Sequence, residues 1–174
     1  MINPVHPIFS EHSLDAIIKA TGLVVICVDA AGSFGPSAKR VNRLMKGALK
    51  KLAESDVFDK MEEGDIQRFP APLGLIADAV ILLKMKKRPT IDIARKCGAN
   101  IAKEAGKSDI NLFVTANSRA AQLAFGIAMR RYRFDAHKSK DSLEFGKLNV
   151  FITNVDKTTK EYTELSAVVD GVFF

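Results

Sequence analysis

The side chains that most often perform catalysis or bind metals are few in this chain. Its three histidines and two cysteines are His6, His12, His137, Cys27 and Cys97. None has a partner at the spacing of a metal-ligand pair, and there is no His-Glu-x-x-His motif. Ser33 lies in a Gly-Ser-Phe-Gly stretch that lacks the Gly-x-Ser-x-Gly spacing of a nucleophile elbow. The sequence therefore predicts no catalytic, cofactor-binding or metal-binding residue in this chain.

The two cysteines and the segment around His12 are better explained by structure than by chemistry. Cys27 lies in an apolar strand-like run and Cys97 on the apolar stripe of a helix. We expect both to be buried structural thiols, which suits a reducing, cytoplasmic location. The segment His12 to Asp15 offers a histidine and a carboxylate, but we expect a surface turn there.

A loop between a buried strand and a helix could bind phosphate. The segment Asp29 to Pro36 contains two glycines and lies where open α/β sheets bind their ligands. It matches neither a P-loop nor a dinucleotide fingerprint. A strand-to-helix turn that uses glycine for its backbone freedom is the favoured interpretation, and a phosphate cradle is the alternative.

Basic residues form two runs, and the chain carries a formal net charge of +6. The runs are Lys84 to Arg88 after a strand and Arg130 to Arg133 at the end of a helix. We expect a solvated basic rim, with basic side chains favoured at a helix C-terminus. A nucleic-acid surface is the less favoured alternative, because stacking aromatics are few and Trp is absent. Arg133 and Asp135 are spaced for a local ion pair.

Strands and helices alternate along the chain and predict an α/β fold. Apolar, β-branched runs predict strands at Leu23–Val28, Ala79–Leu83, Ile110–Thr115 and Leu148–Thr153, with weaker candidates before Ser10 and at Ile66–Phe69. Helical stripes run over Val41–Leu52 with Ser37 as N-cap, over Ala94–Ala105 ending at Gly106, over Leu123–Ala128 capped by Asn117 or Ser118, and from Asp156 onward. The expected loops are Asp29–Pro36, Asp56–Gly64 and His137–Gly146. This order predicts a three-layer α/β sandwich with a central, mixed or mostly parallel sheet between helices.

Length and composition suit one domain. The chain has 174 residues, of which 47% are hydrophobic and 26% charged. No apolar run approaches the roughly 20 residues of a membrane span, and the first residues lack the pattern of a signal peptide. We expect no membrane partner.

The last helix ends on bulky apolar residues without a cap. Val172, Phe173 and Phe174 form the last turn, and no glycine or asparagine cap, polar last turn or proline ends the helix. Each would gain about 1.5–3 kcal/mol from burial. We therefore expect a domain at residues 1–155, with residues 156–174 beginning a helix that connects to a second domain.

One segment resembles a known family. The segment Tyr132 to Lys140 reads Tyr-Arg-Phe-Asp-x-x-Lys-Ser-Lys. It resembles a segment near the end of the N-terminal domain of leucyl (cytosol) aminopeptidases. As in that family, a helix of small residues precedes it, and a strand and a connecting helix follow.

The resemblance implies a fold similar to macro domains and a non-catalytic, structural role in assembly. It implies that the parent enzyme removes N-terminal amino acids from peptides and is a homo-hexamer. Two divalent ions (zinc, manganese or magnesium) would lie in the catalytic domain, held by Lys, Asp and Glu ligands. No residue here matches those motifs, so this chain alone is expected to be no enzyme and to hold no cofactor, and its main partner would be that catalytic domain. A macro-type module that binds ADP-ribose or another nucleotide is an alternative.

Overall fold

The structure is a computed structural model that describes residues 5–114, 119–136 and 144–173, and the side chains of 133–136 and 168–173 are outside the description. Six strands form one sheet, and they are β1 (Pro7–Glu11), β2 (Leu23–Val28), β3 (Ile66–Pro70), β4 (Ala79–Lys84), β5 (Ile110–Phe113) and β6 (Leu148–Ile152). Seven helices lie in the described parts of the chain, and they are α1 (Leu14–Lys19), α2 (Pro36–Leu44), α3 (Ala48–Ala53), α4 (Asp56–Lys60), α5 (Ile91–Ala105), α6 (Ala120–Ala136) and α7 (Val155–Phe173).

The strands lie in the order β1-β6-β5-β2-β4-β3. Every neighbouring pair is parallel except β3 and β4, which are antiparallel. The predicted α/β sandwich with a mixed, mostly parallel sheet is confirmed, and so are all six predicted strands. The last predicted strand residue of β5, Thr115, lies outside the described residues.

The sheet separates two hydrophobic clusters, and β2 contributes to both. Leu23 and Val25 belong to the cluster that also contains residues of α5, α6 and α7. Val24, Ile26 and Val28 belong to the cluster that contains residues of α1, α2, α3 and α4. Since side chains alternate across a strand, one apolar run supplies both cores. This explains why β2 shows no polar alternation in its sequence.

Helices α5 and α6 pack with their backbones in close approach. A Cβ atom added to Gly98 would lie 2.2 Å from the carbonyl oxygen of Leu123. One added to Gly126 would lie 2.2 Å from the carbonyl oxygen of Arg95. Each helix therefore places a glycine against the backbone of the other. Arg95 strengthens the contact by donating from Nε to Gln122 Oε1 at 2.8 Å.

The prediction of one helix over Val41–Leu52 with Ser37 as its N-cap is wrong in two respects. The helix is interrupted between α2 and α3, where Lys46 and Gly47 have φ of 52° and 86°. The apolar period continues through the break, because Met45 and Leu49 are both buried. The N-cap of α2 is Gly35, and Ser37 lies in the first turn of the helix.

Two short helices were missing from the prediction. The expected turn at His12–Asp15 leads into α1, where Ser13 accepts a hydrogen bond from the Ala16 amide. The expected loop at Asp56–Gly64 contains α4, which Ser55 caps through the Phe58 amide. The predicted caps Asn117 and Ser118 lie outside the described residues. Over the described ranges, none of the helices combines the length and apolarity that a bilayer crossing requires.

Candidate functional site

A small cleft opens at the carboxyl ends of four strands. It has a volume of about 140 Å³. Its lining comes from the ends of β1, β2, β5 and β6 and from the start of α2, and comprises His12, Ile26, Cys27, Gly35, Pro36, Ser37, Ala38, Phe113, Val114 and Thr153. Ligands of open α/β sheets bind at this edge. Sites for ligands of ordinary size occupy about 300–1,000 Å³, so this cleft is too small for such a molecule without rearrangement.

A hydrogen bond crosses the cleft. His12 Nε2 pairs with Ser37 Oγ, which joins the end of β1 to the first turn of α2. The His12 amide also donates to the Ile152 carbonyl at 3.1 Å, so β6 holds the same residue. The sequence prediction assigned His12 only to a turn, and it is instead the polar group that links three elements at the cleft.

The predicted phosphate loop already contains an anion of its own. Asp29 accepts hydrogen bonds from the Ser33 amide at 3.0 Å and the Ser33 hydroxyl at 2.7 Å. Lys87 Nζ lies 3.7 Å from the same carboxylate. Partial burial raises the pKa of Asp29, but the Ser33 hydrogen bonds and the Lys87 charge outweigh it and lower the pKa below 3.8. A carboxylate that occupies the loop's donors would repel a bound phosphate.

Ser33 also gains no activation from this arrangement. Its hydroxyl donates to Asp29 on an exposed loop. The Asp29 carboxylate thus accepts from both the amide and the hydroxyl of Ser33, four residues later, and these hydrogen bonds close the loop. The geometry is that of the strand-to-helix turn that the sequence analysis favoured.

Neither cysteine has the lowered pKa of a reactive thiol. Burial raises the pKa of the Cys27 thiol to about 12, with a smaller contribution from Cys97. Burial, followed by the Glu63 charge, raises the pKa of the Cys97 thiol to about 11. Both are therefore protonated near neutral pH and are poor nucleophiles. Cys97 is fully buried, as predicted, whereas Cys27 is half-buried at the edge of the cleft.

The predicted basic rim is wrong at two positions. Arg131 is 2% exposed and donates to the carbonyls of Gly146 and Ser108, each at 2.8 Å. Lys84 is 8% exposed and donates to the Phe58 carbonyl at 2.7 Å. Both cations satisfy backbone carbonyls within the protein and are unavailable to a nucleic acid. The charge pattern could not reveal this, because buried and solvated basic residues look alike in a sequence.

The remaining residues singled out in the sequence are not brought together in the described part of the structure. His6 is exposed, and His137 lies outside the described residues, as do the side chains of Arg133 and Asp135. Within the ranges described, no group of three or more His, Cys, Asp or Glu side chains could hold a metal ion. Sequence reasoning missed a pair of amide side chains between β5 and β6, in which Asn149 Nδ2 donates to Oδ1 of the buried Asn111 at 3.0 Å.

Comparison with known proteins decides the family. A family profile described as "Cytosol aminopeptidase family, N-terminal domain" matches residues 24–141. The chain belongs to this family. The matched range includes the segment Tyr132 to Lys140, on which the resemblance rested, and the predicted family is confirmed.

Individual relatives agree. The probable cytosol aminopeptidase of Cereibacter sphaeroides is 35% identical over 174 residues, which is 100% of this chain and 36% of that protein. The probable cytosol aminopeptidase of Dinoroseobacter shibae is 38% identical over 166 residues, which is 95% of this chain and 34% of that protein. The chain spans about a third of the length of the relatives it matches.

Solved structures of low sequence identity share the fold. A Trypanosoma brucei macrodomain in complex with ADP-ribose matches with a TM-score of 0.61 at 13% identity, over 92% of this chain and 69% of that one. An Oceanobacillus iheyensis macrodomain with MES bound matches with a TM-score of 0.61 at 12% identity, over 95% of this chain and 92% of that one. The predicted similarity to macro domains is confirmed at the level of fold.

Proposed function

We propose that this chain is the non-catalytic N-terminal domain of a metal-dependent leucyl aminopeptidase and has a structural role in that enzyme. The observation that carries the proposal is the alignment. Relatives named probable cytosol aminopeptidases match nearly the whole chain through only about a third of their own length. Some two thirds of each relative is therefore available for a separate catalytic domain with a metal centre.

The candidate site supports a structural role. The cleft is small, and its polar groups are engaged with one another through His12 and Ser37. The loop beside it is occupied by its own Asp29 carboxylate. The metal chemistry, in which paired divalent ions activate water and polarise the scissile carbonyl, belongs in this proposal to the other domain. We assign no step of the reaction to a residue of this chain.

The proposal extends to architecture and assembly. In this proposal residues 1–155 form the domain, and the helix that begins there leads to the catalytic domain, with Tyr162 and Leu165 of its first half packed on the core of this domain. The parent is a cytoplasmic homo-hexamer, built mainly through its catalytic domains, and this domain packs against its own catalytic domain. Zinc, manganese or magnesium would serve the parent as its two divalent ions.

A peptidase assay tests the absence of catalysis. The purified chain is incubated with manganese and a chromogenic leucyl substrate, and a full-length relative serves as positive control. We expect turnover equal to that of manganese alone. Turnover clearly above that level, retained through a second chromatographic step, would contradict the proposal.

A second assay tests the structural role. Two forms of the Cereibacter sphaeroides relative are purified, one of full length and one without its N-terminal third. The mass of each assembly is measured by light scattering, and its melting temperature by thermal unfolding. We expect loss of the N-terminal third to weaken assembly or lower thermal stability. An unchanged mass and melting temperature would refute a structural contribution.

The macrodomain fold favours one alternative function, binding of ADP-ribose or a related nucleotide in the cleft. A macrodomain of similar fold was solved in complex with ADP-ribose. The cleft here is small and faces an anionic loop, which argues against this alternative. Calorimetry with ADP-ribose distinguishes the two functions, because a saturable heat that Ser37→Ala or His12→Ala abolishes would favour the nucleotide module.

Nucleic-acid binding has weaker support, because Lys84 and Arg131 are buried. Phosphate contacts would make affinity fall steeply between about 50 and 200 mM salt. We expect no such salt-dependent binding to duplex DNA.

A further inference from the structure

A second and larger cavity lies at the same edge of the sheet, where three helices begin. Its volume is about 390 Å³. Its lining comes from the residues before α5, the start of α6, the end of β6 and the first two turns of α7, and comprises Arg88, Pro89, Arg119, Ala120, Ile152, Asn154, Lys157, Thr158 and Glu161. It shares no lining residue with the cleft described above. Its size falls within the range of small-molecule sites, about 300–1,000 Å³.

The cavity is lined by three cations and one carboxylate. Among the described lining residues, Arg88, Arg119 and Lys157 are basic and Glu161 is acidic. The lining therefore has a formal charge of +2. Like charges facing one space repel each other, and an anion with two negative charges would remove that repulsion.

The three cations have no carboxylate partner elsewhere in the described ranges. The ion pairs found there are Lys50–Glu54, Arg68–Glu104, Lys86–Glu63 and Lys87–Asp29. Arg88 differs in this respect from Lys86 and Lys87, which precede it on the same loop and are both paired. The charges at the cavity are thus left for a ligand or for solvent ions.

Part of the charge is fixed in place. Arg119 donates from Nε to the Pro89 carbonyl at 2.7 Å, which joins the start of α6 to the segment before α5. This hydrogen bond uses one of five N–H donors, and the remaining four can serve an anion. Guanidinium groups fit phosphate oxygens in a fork geometry.

The fold makes the electrostatic potential at the cavity more positive through the N-termini of three helices. The parallel strands β4, β5 and β6 end at one edge of the sheet and are followed by α5, α6 and α7, so the first turns of these helices lie near each other. A helix start carries a partial positive charge, which favours anions within the first turn. At α7, Asn154 caps the helix through the Lys157 amide at 3.2 Å, which holds the Lys157 backbone at the cavity.

We propose that this cavity is a binding site for a small phosphate ester or for free phosphate. The charge of +2 matches a phosphate dianion, and the volume leaves room for a polar group attached to it. Arg119 and Arg88 supply the guanidinium contacts, and Lys157 supplies an ammonium. This site does not depend on the function proposed above, since its test measures binding and no peptidase activity.

Calorimetry on the 174-residue chain tests the proposal. Glucose 6-phosphate and inorganic phosphate are the two ligands, and glucose is the uncharged control. We expect saturable binding of at least one phosphate compound and none of glucose. Equal affinities for the two identify free phosphate as the ligand, and tighter binding of the ester identifies a phosphate ester. Absence of binding by both at concentrations up to about 10 mM, which corresponds to a binding free energy of only about 2.7 kcal/mol, would overturn the proposal.

Charge variants locate the binding. Lys157→Gln and Arg88→Gln should each weaken it about three- to tenfold, as expected for losing one exposed charge pair with a dianion. Glu161→Gln should strengthen it, because the one carboxylate among the described lining residues is removed. Lys160→Gln is the matched control, an exposed lysine of the same helix that does not line the cavity.

Two outcomes with these variants would contradict the proposed phosphate site. If Lys160→Gln weakens binding as much as Lys157→Gln, the effect is one of net charge and the proposed site is wrong. An unchanged affinity in Glu161→Gln would equally exclude this cavity. Arg88 and Lys157 are exposed, so their variants should fold normally, and unchanged melting temperatures check this.

Discussion

Replacing Gly98 by alanine should destabilise the protein markedly, although alanine is normally the better helix residue. The new Cβ would lie 2.2 Å from the Leu123 carbonyl oxygen and 3.0 Å from the Ile127 nitrogen. Ordinary contact begins near 3.4 Å, so the two helices would have to separate by about 1 Å at this point. The obstacle is backbone and cannot turn away as a flexible side chain could.

The expected magnitude follows from opposing contributions. Alanine gains about 1 kcal/mol over glycine in a helix interior. Overpacking a core usually costs about 1–3 kcal/mol, and a gap of 0.5–1 Å forfeits a quarter to a half of each dispersion contact that it opens. Because the obstacle is backbone, we place the overpacking cost at or above the upper end of that range, at about 3–5 kcal/mol. Subtracting the gain from alanine leaves a net loss of about 2–4 kcal/mol. For a chain of this size that lowers the melting temperature by roughly 5–15 °C.

Thermal unfolding followed by circular dichroism measures the effect, with two controls. Lys103→Ala changes an exposed residue of the same helix and should stay within about 0.5 kcal/mol of the unmodified chain. Gly106→Ala meets no atom within 4 Å, but its φ of +54° and ψ of −118° favour glycine, so its loss of about 1–3 kcal/mol would come from backbone strain and not from a clash between helices. A Gly98→Ala protein that melts within about 1 °C of the unmodified chain would refute the reasoning.

Three further predictions concern the polar interior and the loop beside the cleft. Asn111→Leu should cost about 2–3 kcal/mol in urea unfolding, because the Thr21 and Leu23 carbonyls lose their donor and Asn149 loses its acceptor. Arg131→Met should cost a similar 2–4 kcal/mol and speed hydrogen exchange at Gly146, since the half-buried Gly146 and Ser108 carbonyls lose a charged donor that is itself buried. Equal exchange rates would contradict this. Asp29→Asn should lower stability at neutral pH. Because the folded-state pKa of Asp29 lies below 3.8, the unfolded chain binds more protons in that range, so the Asp29 contribution is present at higher pH and is lost as pH falls through the folded pKa. A difference between the two proteins that persists at about pH 2 would exclude this cause.

The central strands β2, β4 and β5 could be predicted from sequence because their residues are buried on both faces. The run Leu23–Val28 is apolar throughout, and β4 is buried at all six positions. Such runs have few competing interpretations. The alternation of strands with helices then restricts the topology to a mostly parallel sheet. The position of β3 as an antiparallel edge strand could not be predicted, because nothing in Ile66–Pro70 distinguishes its direction.

The short helices and the break after α2 escaped prediction for a different reason. Helices α1 and α4 have six and five residues, too few to show a helical period. Their N-caps, Ser13 and Ser55, were the available signal. At Lys46 and Gly47 the apolar period is preserved through the break, so the pattern alone predicts one continuous helix.

The candidate sites depend on contacts between distant parts of the chain. His12 meets Ser37 across 25 positions, and Arg119 meets Pro89 across 30. Neither pair has a spacing that marks it. Arg131 was assigned to a solvated rim because local charge does not report burial, and its carbonyl partners become visible only in the fold.

The pairing of the first strand with the last has a consequence for synthesis on the ribosome. Pro7 lies opposite Leu148, so β1 leaves the exit tunnel about 140 positions before its partner. At translation rates of about 5–20 residues per second, the nascent β1 waits on the order of ten seconds with no strand beside it. During that time it presents an unpaired edge with Ile8 and Phe9 to neighbouring chains and to chaperones, and the sheet can close on this side only after β6 has emerged.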